Sequence, residues 1–235
     1  MASHDEEFRL EAENMDLRRL LAKAGIDAAE QEVATKLQHL IVEELHHRIK
    51  NMLATVKAIT SQSLRAADTL QQAREAIESR LAALGRVHDL LLQTNWAKTT
   101  LGAVVATAIE PFQTKAAEQF SIHADNLRLA PNAVLPIAMV LNELCTNAVK
   151  YGALSNPDGR IEINGSIDND ARTLRLSWTE KNGPRVHEPT RRSFGSKLVE
   201  QAFVSQLKGN AKLEFAPTGV RYQLETPLAA LSDTR

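Results

Sequence analysis

From residue 28 to residue 64 the chain holds no Gly or Pro and repeats large apolar residues at Leu37, Ile41, Leu45, Ile49, Met52, Val56 and Ile59. Those spacings of three and four predict one long amphipathic helix, and Asp27 is placed to cap it. A shorter helix is predicted ahead of it over 8–24, where Leu10, Met15, Leu17, Leu20 and Leu21 lie among charges and Gly25 supplies a helix-ending residue. Residues 69–94 repeat the pattern with Leu70, Ala73, Ile77, Leu81, Leu84, Val87 and Leu91. Two such helices joined by a short polar turn form a hairpin. Its narrow stripes are covered either by a second copy of the chain, giving a four-helix bundle, or by the first helix folding back within one chain.

After Asn95-Trp96 the pattern changes. Helix 100–110 leads through Pro111 to a strand-like FSIHA, and Pro131 opens a helix over 131–151 with its apolar face at Val134, Ile137, Leu141, Leu144 and Ala148, ending at Gly152. RIEINGSI and TLRLSWTE alternate apolar and polar residues as half-buried strands on either side of the turn DNDA. A Gly-, Pro- and charge-rich loop over 181–193 precedes helix 195–207, and NAKLEFAP and VRYQLETP close the chain as a second hairpin. The division is therefore an N-terminal helix and linker (1–26), a helical hairpin (27–97), and an α+β part (98–235) with a mostly antiparallel sheet and helices on one face.

Composition narrows the class. With 235 residues, 43% apolar and 24% charged, the chain has the make-up of a folded protein. A balance of 28 basic against 29 acidic residues, net −1, gives no pull toward nucleic acid or anionic lipid. No run of about 18 apolar residues is present for membrane insertion. The single Cys145 falls in an apolar-patterned helix, which suits a reducing compartment. The expected place is the cytoplasm.

Around the long helix, at about 100° per residue, Leu45, Ile49, Met52, Val56 and Ile41 fall within roughly 40° of one direction. His47 lies about 200° from Leu45, beside Glu43, Lys50 and Asn51. It is thus presented to solvent, where a neutral imidazole can act as a nucleophile toward a phosphoryl group brought by a separate domain. The same placement also describes an ordinary solvated face. His46, about 100° around from His47, is closer to the apolar side. On helix 131–151, Glu143, Asn147 and Lys150 follow at spacings of four and three as a polar stripe. A carboxylate, an amide and a cation in that order suit an ATP-Mg²⁺ site.

The run EELHHRIKNMLATVKAI, Glu43 to Ile59, resembles the phosphoacceptor box of HWE-type histidine kinases, with its H-R-x-K-N core. LNELCTNAVKYGALS resembles the N box of GHKL-type ATPases in its histidine-kinase form. LSWTEKNGP resembles the family's W-x-E box, and RRSFGSKLVEQ its second glycine box. The resemblance covers nearly everything after about residue 38. It implies a fold of the α + α/β sandwich kind: a dimerisation and phosphotransfer hairpin followed by a Bergerat-type ATP-binding domain.

For the site, the resemblance implies His47 as phosphoacceptor and Glu143 as the group that orients the imidazole or accepts its proton. Asn147 is implied as the Mg²⁺ ligand, with Lys150 and Tyr151 facing phosphates or ribose. Glu180 is implied to accept from the adenine amino group, and Gly183 to let the backbone approach the base. Phe194, Gly195 and Ser196 are left for phosphate contact at a helix N-terminus. Trp178, alternating with Leu174 and Leu176, is read as core. Two departures stand out: Asn142 occupies a position where the family usually has His, and Ser193 replaces the first glycine of its box, which points to slow ATP turnover.

The implied activity is autophosphorylation of His47 from ATP, followed by transfer to an aspartate of a separate response regulator receiver domain. Implied partners are a second copy of the chain, and either a separate sensor protein or an upstream sensor domain. A histidine phosphotransfer or scaffold protein with a weakened ATP site is the alternative. HHRIKN argues against a GHKL serine kinase or a conformational ATPase.

Overall fold

The computed structural model of the chain describes residues 2–94, 99–113, 119–124, 126–187, 199–200 and 203–231, the side chains of 2–12, 26–30, 48 and 203 aside. Helix α1 runs unbroken from Ala2 to Ala66. The expected break at Gly25 and cap at Asp27 are absent, because the backbone continues through both as helix. One glycine inside a helix costs only about 1 kcal/mol relative to alanine, and the flanking LLAKA and AAEQE are strong helix formers.

Thr69 caps α2 (Leu70–Gln93), its Oγ1 accepting from the Gln72 amide at 3.2 Å. Helix α3 (Leu101–Ile109) follows, capped by Thr100, then β1 (Phe120–Ala124) and α4 (Pro131–Tyr151). The chain continues through β2 (Arg160–Asp168), β3 (Thr173–Lys181), the short α5 (Phe203–Gln206), β4 (Asn210–Ala216) and β5 (Gly219–Pro227). The five strands form one sheet in the order β1-β2-β3-β5-β4. β1 is parallel to β2, and the other pairs are antiparallel. Of the expected helix 195–207, residues 195–198 and 201–202 lie outside the described residues.

The pleat sorts the sheet into two faces. Ile161 and Ile163 on β2, Leu174, Leu176, Trp178 and Glu180 on β3, and Tyr222, Leu224 and Thr226 on β5 are buried, whereas Arg175, Arg221 and Glu225 point to solvent. Ile163, Trp178 and Tyr222 stand in line across three strands, so the tryptophan is core, as its alternation with Leu174 and Leu176 predicts. Helix α4 supplies much of the rest of this core: thirteen of its 21 residues are buried, Val134, Ile137, Leu141, Leu144 and Ala148 among them. By length and composition α4 could also cross a bilayer, but most of it is buried inside the fold.

The chain divides into two compact units, 1–57 and 58–235. In the second, α2 and α3 pack on α4 and on each other. The inward row of α2 is Ala73, Arg80, Ala83, Val87 and Leu91, while Leu70 is 81% exposed. That face is turned from the predicted stripe toward Arg80 and Ala83, because α4 lies against it. In the first unit, Leu37, Ile41, Leu45 and Ile49 of α1 are exposed.

Gly25 has no heavy atom within 4 Å of the position a Cβ would occupy. Gly25→Ala should therefore stabilise α1 by about 1 kcal/mol, read as higher helicity and a higher midpoint in thermal circular dichroism. A loss of helicity would mean the helix does break there.

Candidate functional site

On α1, His46 and His47 are both exposed, as are Glu43, Lys50 and Asn51. The imidazole of His47 is open to solvent among charged and amide groups, as are all the described side chains of α1 from 13 to 54. His88, on α2, is half-buried.

On α4 the polar row divides by depth. Glu143 is buried, 6% exposed, Asn147 is half-buried, Lys150 is exposed and Tyr151 is 74% exposed. A carboxylate at that depth needs a partner, since an isolated buried charge costs far more than folding can supply. Arg80 provides it: Nε donates to Glu143 Oε1 at 2.6 Å and Nη2 to Oε2 at 2.9 Å. The Arg80 Nη1 also donates to Ser63 Oγ at 2.6 Å, and Ser63 donates to the Ile59 carbonyl at 2.7 Å. Removing one partner from such a buried pair costs about 3–5 kcal/mol. Arg80 has no place among the residues expected from sequence, although the signal was there: it lies seven residues from both Ala73 and Val87, hence on their face of the helix.

Asn142 is buried and turned toward α2, where its Nδ2 donates to Ser79 Oγ at 3.5 Å and its Oδ1 accepts from Arg86 Nη2 at 3.4 Å. Both contacts are long. Burial lowers the proton affinity of the Arg86 guanidinium, and its Nε has no hydrogen-bond partner. Lys150 Nζ stands 3.7 Å from Glu75 Oε2, both about half exposed, an interaction of small energetic weight. Cys145 is free and buried, and burial raises its thiol pKa well above the ordinary value, so it is an inert core residue.

The second part of the site lies where β3 meets the end of α4. The alternation Leu174, Leu176, Trp178 continues to Glu180, which puts a carboxylate on the buried face of the sheet. Glu180 Oε2 accepts from the Ala153 amide at 2.8 Å, and Oε1 accepts from Trp178 Nε1 at 3.3 Å. Burial raises the Glu180 pKa, and these two donors act against the rise. The fit is close: a Cβ at Gly152 would come within 2.1 Å of Glu180 Oε2, and one at Gly183 within 2.9 Å of the Ala153 backbone. Gly183 thus serves the approach of the post-β3 turn to the 152–155 turn. Asn182 precedes it at φ 57, a conformation that asparagine tolerates. Asn156 Nδ2 donates to the Asn182 carbonyl at 2.9 Å, and Gln119 ties the Asn156 and Gly159 carbonyls together.

The fold therefore brings Glu143, Asn147, Lys150 and Tyr151 onto one helix, and Glu180 and Gly183 against the turn that ends it. Phe194, Gly195 and Ser196 lie outside the described residues. These groups fit a Mg²⁺-nucleotide. Glu180 keeps acceptor capacity beyond its two donors. No group of three or more His, Cys, Asp or Glu gathers among the described residues, and Asn147 offers a half-buried amide oxygen on α4.

Residues 44–126 match the family model described as HWE histidine kinase. A blue-light-activated histidine kinase of Brucella ovis is 35% identical over 204 residues, covering 86% of this chain and 42% of that protein. Its counterpart in Brucella anthropi is 34% identical over 220 residues, covering 89% of this chain and 45% of the relative. The chain thus spans less than half the length of the curated relatives it matches. Among solved structures, the histidine kinase domain of an Erythrobacter litoralis blue-light activated histidine kinase superposes with a TM-score of 0.56 at 19% identity, over 78% of this chain and 89% of that one. That likeness shows the fold: a helical region followed by a mixed sheet with helices packed on it.

A raised carboxyl pKa means that the folded state holds the Glu180 proton more tightly than the unfolded chain does. The resulting stabilisation is fully present below the unfolded pKa and is lost as pH rises through the folded one. The stability of wild type relative to Glu180→Gln should therefore fall as pH climbs out of the ordinary carboxylate range, as measured by urea unfolding at a series of pH values. A difference that grows with pH would contradict a burial-dominated carboxyl.

Proposed function

The chain belongs to the HWE histidine kinases, of which it carries the transmitter core, and on that premise we propose that it phosphorylates its own His47 from ATP and passes the phosphoryl group to an aspartate of a separate response regulator. The observation that carries the reading is the exposed imidazole of His47 inside the family-matched stretch 44–126. The row Glu143, Asn147 and Lys150 on α4 supports it.

ATP with Mg²⁺ supplies the phosphoryl group. A ring nitrogen of His47 bonds to the γ-phosphorus as the bond to the β,γ-bridging oxygen breaks and ADP leaves, and Glu143 receives the imidazole proton. Asn147 offers its side-chain oxygen to the metal, Lys150 and Tyr151 face phosphates or ribose, and Glu180 accepts from the adenine amino group. Gly183 shapes the turn beside it. Phe194, Gly195 and Ser196 belong to the phosphate-contacting loop. Residues 27–97 serve as the phosphotransfer and dimerisation hairpin and 98–235 as the ATP-binding domain, in a homodimer that works in the cytoplasm. The input comes from a separate sensor protein or an upstream sensor domain.

Incubation with γ-labelled ATP and Mg²⁺ tests this. Wild type and His46→Gln should take up acid-labile, base-stable label, and His47→Gln none. Asn147→Ala should weaken Mg²⁺-dependent nucleotide binding by roughly 10- to 100-fold or more. Label persisting on His47→Gln would move the acceptor elsewhere. A wild type without Mg²⁺-dependent nucleotide affinity would instead mark a phosphotransfer or scaffold protein.

A further inference from the structure

Helix α2 meets the polar row of α4 with matched groups over several turns. Glu75 stands 3.7 Å from Lys150, and Ser79 and Arg86 reach Asn142 at 3.5 and 3.4 Å. Between these long contacts, Arg80 closes on Glu143 in a short two-pronged pair, 2.6 and 2.9 Å, with the side chains 7% and 8% exposed. Ser63 of α1 holds the third edge of the guanidinium. The charge partner of Glu143 is therefore anchored to both helices of the hairpin.

A base must offer an oxygen that the donor can reach. Here both carboxylate oxygens already accept charge-assisted bonds from one rigid fork, and Glu143 is only 6% exposed. An incoming imidazole meets a carboxylate that is nearly closed to solvent and whose two oxygens are each already bonded to the guanidinium. We infer that Arg80 is a brake on the reaction: it keeps Glu143 masked against α2, and phosphoryl transfer to His47 requires the pair to open. The inference rests on the role of Glu143 as proton acceptor. An ion pair suits a brake because its net stability is a small difference between attraction and desolvation, so it parts when each charge finds water or another partner.

The test compares autophosphorylation by wild type, Arg80→Gln, Arg80→Lys and Ser63→Ala, under single-turnover conditions at saturating ATP and Mg²⁺, with nucleotide affinity and thermal midpoint measured alongside. Arg80→Gln should raise the rate by about 5-fold or more without tightening nucleotide binding. Arg80→Lys, which keeps the charge but loses the fork, should give a smaller gain, and so should Ser63→Ala, which removes only the anchor. A merely structural arginine would instead lower rate and midpoint together. If Arg80→Gln does not fold, a gain in Ser63→Ala and Arg80→Lys still supports the brake. Label on wild type with no gain in any folded variant overturns the brake and leaves the kinase reading standing. No label on wild type or on any variant overturns both.

Discussion

The carboxylate of Glu143 sits at a buried position of α4, the helix on which α2 and α3 pack, and a charge there must be answered by another. Much of the arrangement of residues 58–235 follows from meeting that demand. The answering cation is on α2, so α2 must turn the Arg80 face inward, and Ala73, Ala83, Val87 and Leu91 go in with it. The small residues Ala73 and Ala83 share that row. Ser63 fixes the end of α1 to the same guanidinium, which draws Ile59 into the core. One ion pair thus sets the facing of two helices.

Glu180 meets the same difficulty in another way. Its partners are neutral, a backbone amide and an indole N–H, and no cation approaches it within hydrogen-bond distance in the contacts described. Burial therefore dominates and favours the protonated acid. The two carboxyl groups of the site differ in environment: one is paired with a guanidinium, the other is held among neutral donors. The absence of a Cβ at Gly152 is what lets the 152–155 turn come close enough to donate to it.

Most of the architecture was legible because the elements keep their own periods. The stripes at spacings of three and four gave α2 and α4, and the alternation in RIEINGSI and TLRLSWTE gave β2 and β3 with Trp178 inside. Gly25 misled because a breaker acts on local propensity, which a long run of good helix formers outweighs. Arg80 was missed for a different reason. A charged residue in an apolar row is ordinarily read as surface, and only the tertiary partner, 63 positions away, makes it core. Likewise Glu180 reads as a strand-end charge until the alternation is carried one step past Trp178. The family motifs named Glu143 but not the state it is held in, since a motif fixes residue types and leaves their partners unspecified.

Helix α1 shows how one element can serve two surfaces. Its C-terminal part, with Ile59 and Ser63, is committed to the unit of residues 58–235. Farther toward the N-terminus, Leu37, Ile41, Leu45 and Ile49 remain between 52% and 55% exposed. Burying such side chains fully is worth about 1.5–3 kcal/mol each, so this row favours a partner helix, and α2 has already given its inward face to α4. His47 lies about 200° from Leu45 around the same helix. A second copy laid along the apolar row would cover the hydrophobic side and leave the imidazole open.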